Sequence, residues 1–218
     1  MFNEILILVR KELAAEWRNK HTIGGMLIYL ISTIFVCYLS FKRIIDIPTW
    51  NALFWIILLF TSTTSAAKSF LQESRGKLLY YYTLFSPQSF IVSKIIYNSI
   101  LTLILSIVSF FFYSIFLGNI VEDNIMFFCG VIVGSMGFAS NLSLISAIAS
   151  KASNSSALTA ILGFPIILPM LLAIIKFSKF AIDGISWSVN LKYLLVILLL
   201  NVIVIVMSYI LFPYLWRE

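Results

Sequence analysis

The densest polar chemistry of this chain lies in one segment, residues 68–88, between two apolar stretches. A charged run comes first and an apolar, aromatic run follows it, before Ser86 and Pro87 lead into the next stretch. A charged run beside an aromatic helical turn can lie flat under a membrane and present its side chains to a partner protein. The same composition suits packing on lipid headgroups, and the segment taken alone leaves both readings open.

Motifs for nucleotide or metal chemistry are missing from the sequence. No G-x-x-x-x-G-K-[ST] occurs, so the chain is not expected to hold ATP phosphates itself. The single histidine, His21, stands at the start of an apolar stretch, and Cys37 and Cys129 lie far apart with no metal-binding spacing. The methionines are scattered, so no pair of haem ligands is predicted. We therefore expect no catalytic residue, no metal site and no cofactor bound by this chain.

The acidic residues outside the N-terminal region also fail to form an intramembrane site. A proton-coupled carrier usually keeps ionisable residues within its spans. Four carboxylates fall instead in or beside predicted outer loops: Asp46, Glu122, Asp123 and Asp183. The sequence thus predicts no ionisable pair at membrane depth, which argues against a secondary transporter and against an intramembrane hydrolase.

The elements that carry these residues are six long apolar stretches. They span about residues 22–41, 50–67, 91–117, 125–149, 157–176 and 193–213. Each is close to or above the roughly 20 residues that cross a bilayer as a helix. Hydrophobic residues make up 61% of the chain and charged residues 11%, too apolar a composition for one soluble core. We predict a single all-α membrane domain over residues 1–218, in contact with lipid and without a nucleic-acid partner.

The N-terminal stretch, residues 2–20, predicts an amphipathic helix in the membrane interface. One helical stripe is apolar and consists of Phe2, Ile5, Leu6, Val9, Leu13 and Trp17. Glu4, Lys11 and Arg18 lie opposite, whereas Glu16 falls awkwardly near the apolar stripe. We expect Trp17 at headgroup depth, with Arg10, Lys11, Arg18 and Lys20 directed to phosphates. A plain cytosolic extension is the alternative.

The distribution of Lys and Arg predicts the orientation. With the N-terminus in the cytoplasm, ten of the 15 basic residues fall in inner segments: Arg10, Lys11, Arg18, Lys20, Lys68, Arg75, Lys77, Lys94, Lys151 and Arg217. The outer segments hold Lys42, Arg43, Lys176, Lys179 and Lys192. Positive charge accumulates on the cytoplasmic side of membrane proteins, so both termini are predicted inside.

Small and polar residues mark the second, fourth and fifth stretches. The second ends in the Thr/Ser run 61–65, and the fourth carries Gly130, Gly134 and Gly137 before Ser140, Asn141, Ser143 and Ser146. Such residues let helices approach closely and hydrogen-bond to one another, although they could also line a path or a moving interface. Pro165 and Pro169 permit a kink in the fifth stretch.

Two ordered sets of motifs resemble the CcmB family, the permease of cytochrome c maturation. The first is Phe70-Leu-Gln-Glu73-Ser-Arg-Gly76-Lys-Leu78, followed by Leu84-Phe-Ser86-Pro87. The second runs from Gly134-Ser-Met-Gly137 through Asn141-Leu-Ser-Leu-Ile-Ser146 to Pro165 and Pro169. The opening Arg10-Lys-Glu-Leu13 is similar to the family's basic N-terminal helix. The motifs are short, so the resemblance depends on their order along nearly the whole chain.

The resemblance implies a type-2 ABC exporter-like permease in the bacterial inner membrane, paired as a homodimer with a separate CcmA-like ATPase that binds ATP. A coupling loop that docks on this ATPase would contain Glu73, Ser74, Arg75, Gly76, Lys77, Leu78, Ser86 and Pro87. Lys151 and Asn154 would make a second, smaller inner contact. A CcmC-like haem-handling subunit and a CcmE-like haem chaperone would complete the system, whose cargo is haem.

How haem is handled is open at the level of sequence. The resemblance implies either a haem path or ATP-driven release of the haem-loaded chaperone, and the absence of a haem-ligand pair favours release. Other classes are a type-2 ABC permease for a drug, lipid or polysaccharide, an integral-membrane enzyme, and a passive scaffold. The motif order favours the first reading over these three.

Overall fold

The computed structural model of the chain describes residues 1–18, 20–41, 46–71, 81, 83–150 and 155–216, and this part contains no strand. Its helices of 17 residues or more are α1 (Phe2–Arg18), α2 (Lys20–Phe41), α3 (Ile47–Leu71), α4 (Pro87–Leu117), α5 (Asn124–Ala149), α6 (Ser155–Ile182) and α7 (Trp187–Trp216). Six of them, α2 to α7, are long and apolar enough to cross a membrane. The predicted all-α membrane fold with six spans is confirmed.

Several helices extend beyond the predicted apolar stretches. The helix α4 begins at Pro87 and not near residue 91, because Ser86 caps it and proline fits the first turn. At its other end α6 continues to Ile182, so Lys176 and Lys179 lie on its last turns and not in the loop that follows. The same helix runs unbroken through Pro165 and Pro169. At these ends the helices therefore continue beyond the apolar stretches seen in the sequence.

The bundle has two ends with different contacts. At one end, which we call the α1 end, α1 packs beside the start of α4, and the Trp216 ring at the end of α7 lies 4.9 Å from the Phe90 ring. At the opposite, far end, the indole Nε1 of Trp187 donates to Asp123 at 3.0 Å, and that of Trp50 donates to the Gly118 carbonyl at 3.1 Å. The start of α1 and the end of α7 thus both lie at the α1 end.

Helix α5 occupies the centre of the bundle because three glycines give it a thin face. A Cβ atom at Gly130 would come within 2.8 Å of the Phe177 ring, and one at Gly134 within 2.9 Å of the Trp55 ring. At Gly137 an added Cβ would overlap the end of the Met170 side chain. The predicted close approach of helices along this stretch is confirmed.

Polar side chains of α5 join it to its neighbours, whereas those of the Thr/Ser run in α3 bond within their own helix. Ser140 donates to Asn201 on α7 at 3.2 Å, and Asn98 on α4 donates to Ser143 at 2.8 Å. In α3, Thr61, Ser62, Thr63 and Thr64 each donate to the carbonyl four residues earlier in the same helix. The predicted cross-helix bonding is therefore confirmed for the fourth stretch and is not seen for residues 61–64 of the second.

Candidate functional site at the α1 end

The start of α4 is the first part of the candidate site. Ser86 adopts an extended conformation, and its hydroxyl accepts from the Ser89 N–H at 3.4 Å. The carboxylate of Glu4, on α1, accepts from the Ser86 N–H at 3.3 Å and from the Ser86 hydroxyl at 3.1 Å. An acid at a helix N-terminus is stabilised by the unpaired N–H groups and the helix dipole. Glu4 thus attaches α1 to the first turn of α4.

The acidic face of α1 is the face that packs on the bundle. Glu4, Leu8, Glu12 and Glu16 recur every four residues and therefore lie on one side of the helix. Leu8 and Glu16 are buried, whereas Phe2 and Trp17 of the apolar stripe are each 77% exposed. The apolar stripe is consequently left free for lipid, and the acids face the protein.

Lys94 is the centre of a polar cluster between α1, α3 and α4. Its side chain is only 1% exposed, and its ammonium group donates to Glu12 at 3.0 Å and to the Ser69 carbonyl at 2.6 Å. Lys94 lies seven residues into α4, within one of the six candidate spans. Its partner Glu12 lies on α1, outside the six spans, so the prediction that the spans hold no ionisable pair at membrane depth stays a prediction.

A second acid extends this cluster deeper into the bundle. The phenol of Tyr97 donates to Glu16 at 3.0 Å, and both side chains are buried. The next residue, Asn98, donates to the Ser69 hydroxyl at 3.2 Å. We call Glu12, Glu16, Ser69, Lys94 and Tyr97 the α1–α4 cluster. It ties α1 to the end of α3 and the start of α4 at once.

Residues on both sides of the polar segment 72–80 take part in these contacts. Before the segment, Ser69 bonds to Lys94, and the Phe70 ring lies 5.5 Å from the Lys94 ammonium. After it, the Tyr81 phenol accepts from Lys11 at 2.7 Å, and the same ammonium lies 4.5 Å above the Tyr81 ring. Both flanks of residues 72–80 are therefore attached to α1, directly or through Lys94.

Aromatic side chains pack against one another at the α1 end, next to this cluster. The Phe90 ring stacks at 5.8 Å on Phe212 of α7 and lies 6.0 Å from the Tyr81 ring. Phe70 and Ile91 are buried in the same group. Rings from the flanks of residues 72–80, from α4 and from α7 thus form one packed layer. Because the layer is tightly packed, displacing one ring would displace its neighbours.

Two acids of α1 have lowered pKa values. The nearby Ser89 hydroxyl and the Ser86 N–H, with smaller contributions from the terminal ammonium and the Ser86 hydroxyl, hold the pKa of Glu4 at about 2, below its usual value of 4.5. Burial acts to raise the pKa of Glu12, but Lys94 and Lys11 outweigh burial and lower it. Both groups are therefore carboxylates at neutral pH.

The predicted site residues fall into three sets. Residues 73–78, Lys151 and Asn154 lie outside the described residues, so their predicted contacts stay predictions. Ser86 and Pro87 form the cap and first residue of α4. Arg10, Trp17 and Arg18 are exposed on α1. Lys11 differs from expectation: it turns from the headgroups to Tyr81 and Glu12, because an aromatic ring and a carboxylate lie within its reach.

Sequence reasoning missed Glu12, Glu16, Lys94 and Tyr97 as a connected group. A signal was present, since Glu4, Glu12 and Glu16 share the four-residue spacing of one helix face. A lysine inside the predicted apolar stretch 91–117 also calls for a partner. What the sequence did not reveal was that these two features, separated by about 80 residues, lie side by side.

The hydrogen bonds and ion pairs of this site join helices to one another. Among the described residues no group of three or more His, Cys, Asp and Glu side chains could hold a metal ion. Cys37 and Cys129 are free thiols. The fold and the cluster define a multi-pass α-helical membrane protein in which a surface helix is bonded to the membrane bundle.

The comparison with protein families identifies the chain more closely. The sequence model of the CcmB protein family matches residues 3–211, and the chain belongs to that family. It is therefore a membrane component of the haem exporter ABC system for cytochrome c maturation. Neither the curated proteins nor the solved structures that were compared give a match.

Proposed function

We propose that this chain is the permease subunit through which ATP hydrolysis on a separate ATPase subunit moves membrane helices during cytochrome c maturation. The observation that carries the proposal is the attachment of both flanks of residues 72–80 to α1 and α4, in a chain of the CcmB family. A partner that pushed on residues 72–80 from the membrane surface would displace Ser69 and Tyr81 together. The α1–α4 cluster would pass that displacement to α3 and α4, and the bond from Asn98 to Ser143 would pass it to α5.

The complex in this proposal is a homodimer of the chain with two ATPase subunits in the bacterial inner membrane. A haem-handling subunit and a haem chaperone are its further partners. The chemical step assigned to ATP hydrolysis is release of the haem-loaded chaperone and not passage of haem through the spans. The scattered Met and Cys side chains of the spans support release, since a haem path would be expected to offer paired ligands.

The first test is a haem-stained gel of membranes from cells that lack this chain, with and without a plasmid copy. We expect covalent c-type haem to disappear without the chain and to return with the plasmid. Persistence of c-type cytochromes in its absence would overturn the proposed role.

Coupling is tested by substitutions in the segment that would meet the ATPase. Glu73→Lys reverses a charge and Gly76→Pro removes a backbone donor, and both should abolish haem staining at normal membrane levels of the protein. Asp183→Lys is the matched control, because it reverses an exposed charge at the far end. Equal haem staining in Glu73→Lys, Gly76→Pro and Asp183→Lys would refute coupling through this segment.

Release of the chaperone, in contrast to passage of haem, does not require the Cys and Met side chains of the spans, which could act as haem ligands. Cys129→Ala and Met136→Ala should leave haem staining unchanged, since neither side chain has a role in release. Loss of c-type haem in either variant, at a normal protein level, would instead favour a haem path through the bundle.

A further inference from the structure

A cleft opens between α2 and α3 at the α1 end of the bundle. Its volume is about 360 Å³, within the range of ligand-binding cavities. The helix α2 is thinly covered there, since only 17% of its span is buried, against 61% for the span in α3. Six residues line the cleft: Gly25, Met26, Tyr29, Thr61, Thr64 and Lys68.

The glycines of α2 differ from those of α5 in what surrounds them. An added Cβ at Gly24 or Gly25 would meet nothing within 4 Å, whereas one at Gly134 would press on Trp55. Glycine disfavours a helix relative to alanine, so a helical glycine usually has a packing or functional reason. At Gly25 no packing among the described residues supplies that reason, and the lack of a side chain leaves the cleft open.

Lys68 supplies a positive charge at the end of this cleft. It lies in the last turn of α3, one turn beyond Thr64, and is partly exposed. Among the described residues nothing forms an ion pair or hydrogen bond with it. A lysine at the end of a span extends its ammonium to the headgroup layer, where anionic lipids attract it.

We propose that this cleft binds one anionic phospholipid. The lipid phosphate contacts the Lys68 ammonium, and an acyl chain lies along Gly25, Met26 and Tyr29. Charge complementarity selects this occupant, because Lys68 needs an anion and the surrounding lining is mostly apolar. The proposal goes beyond the function in cytochrome maturation and does not depend on it.

The test is native mass spectrometry of the full chain, purified from membranes with the subunits that accompany it. After delipidation it is offered micelles that contain phosphatidylglycerol or phosphatidylcholine. We expect wild type to retain phosphatidylglycerol in preference to phosphatidylcholine. Gly25→Leu should fill the cleft and lose the retained lipid. Gly24→Leu is the matched control, since position 24 has equal free space but does not line the cleft.

Lys68→Gln tests the charge independently of the space. It should reduce the preference for phosphatidylglycerol about fivefold, as expected for one lysine–headgroup contact, and leave the shape of the cleft intact. Equal retention by Gly25→Leu and wild type would overturn the proposal, as would an unchanged lipid preference in Lys68→Gln. Dissociation of a dimer of this chain by Gly25→Leu, with lipid retention unaltered, would show that a second copy is the occupant and would also overturn it.

Discussion

Lys94 illustrates how a single side chain constrains this fold. A buried ammonium is tolerated only with close acceptors, and Glu12 and the Ser69 carbonyl provide them at 3.0 and 2.6 Å. The carbonyl belongs to the last turn of α3, where free carbonyl groups attract a positive charge. Lys94 therefore satisfies a carboxylate on one helix and a helix terminus on another.

We predict that Lys94→Met destabilises the protein by about 3 kcal/mol, because it leaves the largely buried Glu12 carboxylate with only the more exposed Lys11 as a partner among the described residues and the Ser69 carbonyl without its donor. Unfolding in detergent micelles measures the change in free energy. The double variant Glu12→Gln with Lys94→Met should lose less than the sum of the two single variants. Lys192→Met is the control, since Lys192 is exposed and only approaches the Tyr193 ring. A loss no greater than that of Lys192→Met would contradict the prediction.

Glu4 predicts a pH dependence of stability at the α1 end. Its folded pKa of about 2 lies below the usual 4.5, so its contribution is complete above about pH 4.5 and is lost as pH falls toward 2. The midpoint of thermal unfolding should drop between pH 5 and pH 3, and Glu4→Gln should make this drop smaller. Identical pH profiles for wild type and Glu4→Gln would show that the contact with Ser86 does not contribute.

At the scale of elements, α5 depends on two glycines whose neighbours differ in freedom. The atoms nearest to a Cβ at Gly134 belong to the Trp55 ring, which is buried and bonded through its Nε1 to Ser178. Those nearest to a Cβ at Gly137 belong to the end of Met170, a flexible side chain. The ring cannot move away, whereas the methionine can change its rotamer.

Gly134→Ala should therefore destabilise the bundle by about 1–3 kcal/mol, the usual cost of overpacking, and Gly137→Ala by less. The unfolding midpoints of both variants are compared with that of Gly24→Ala, where the added methyl group has free space. If Gly134→Ala proves as stable as Gly24→Ala, the tight contact between α5 and Trp55 is not essential.

The elements of this fold were largely predictable, and their lateral contacts were not. Apolar length alone indicated the six spans, and the glycine pattern indicated the close packing of α5. The apolar stripe of α1 predicted a side that faces lipid, but the contact of its acids with the bundle could not be inferred, because their partners lie about 80 residues further along the chain. In a membrane protein lipid solvates that stripe, and the acids bind the protein through Ser86, Lys94 and Tyr97. The apolar side of this amphipathic helix is therefore the side that faces lipid.

At the scale of the whole molecule, the start of α1 and the end of α7 lie at the same end of the bundle. Locating that end on one side of the membrane therefore fixes the orientation of the whole chain. The excess of Lys and Arg predicts that the α1 end faces the cytoplasm. In a background without native cysteines, Asp183→Cys at the far end should react with an impermeant maleimide in intact cells. Arg10→Cys on α1 should react only after permeabilisation, and both positions are exposed. The reverse labelling would invert the topology.

The bond between Glu12 and Lys94 joins residues 82 positions apart, and this separation has a consequence for biosynthesis. At roughly 5–20 residues per second, the ribosome takes about 4 to 16 s to make the partner after the acid has emerged. During that interval α1 has neither Lys94 nor Ser86 to bind. Its apolar stripe, with Phe2 and Trp17, supplies a provisional attachment to the bilayer surface. The stripe is thus expected to hold α1 of the nascent chain at the bilayer surface until the third span is inserted.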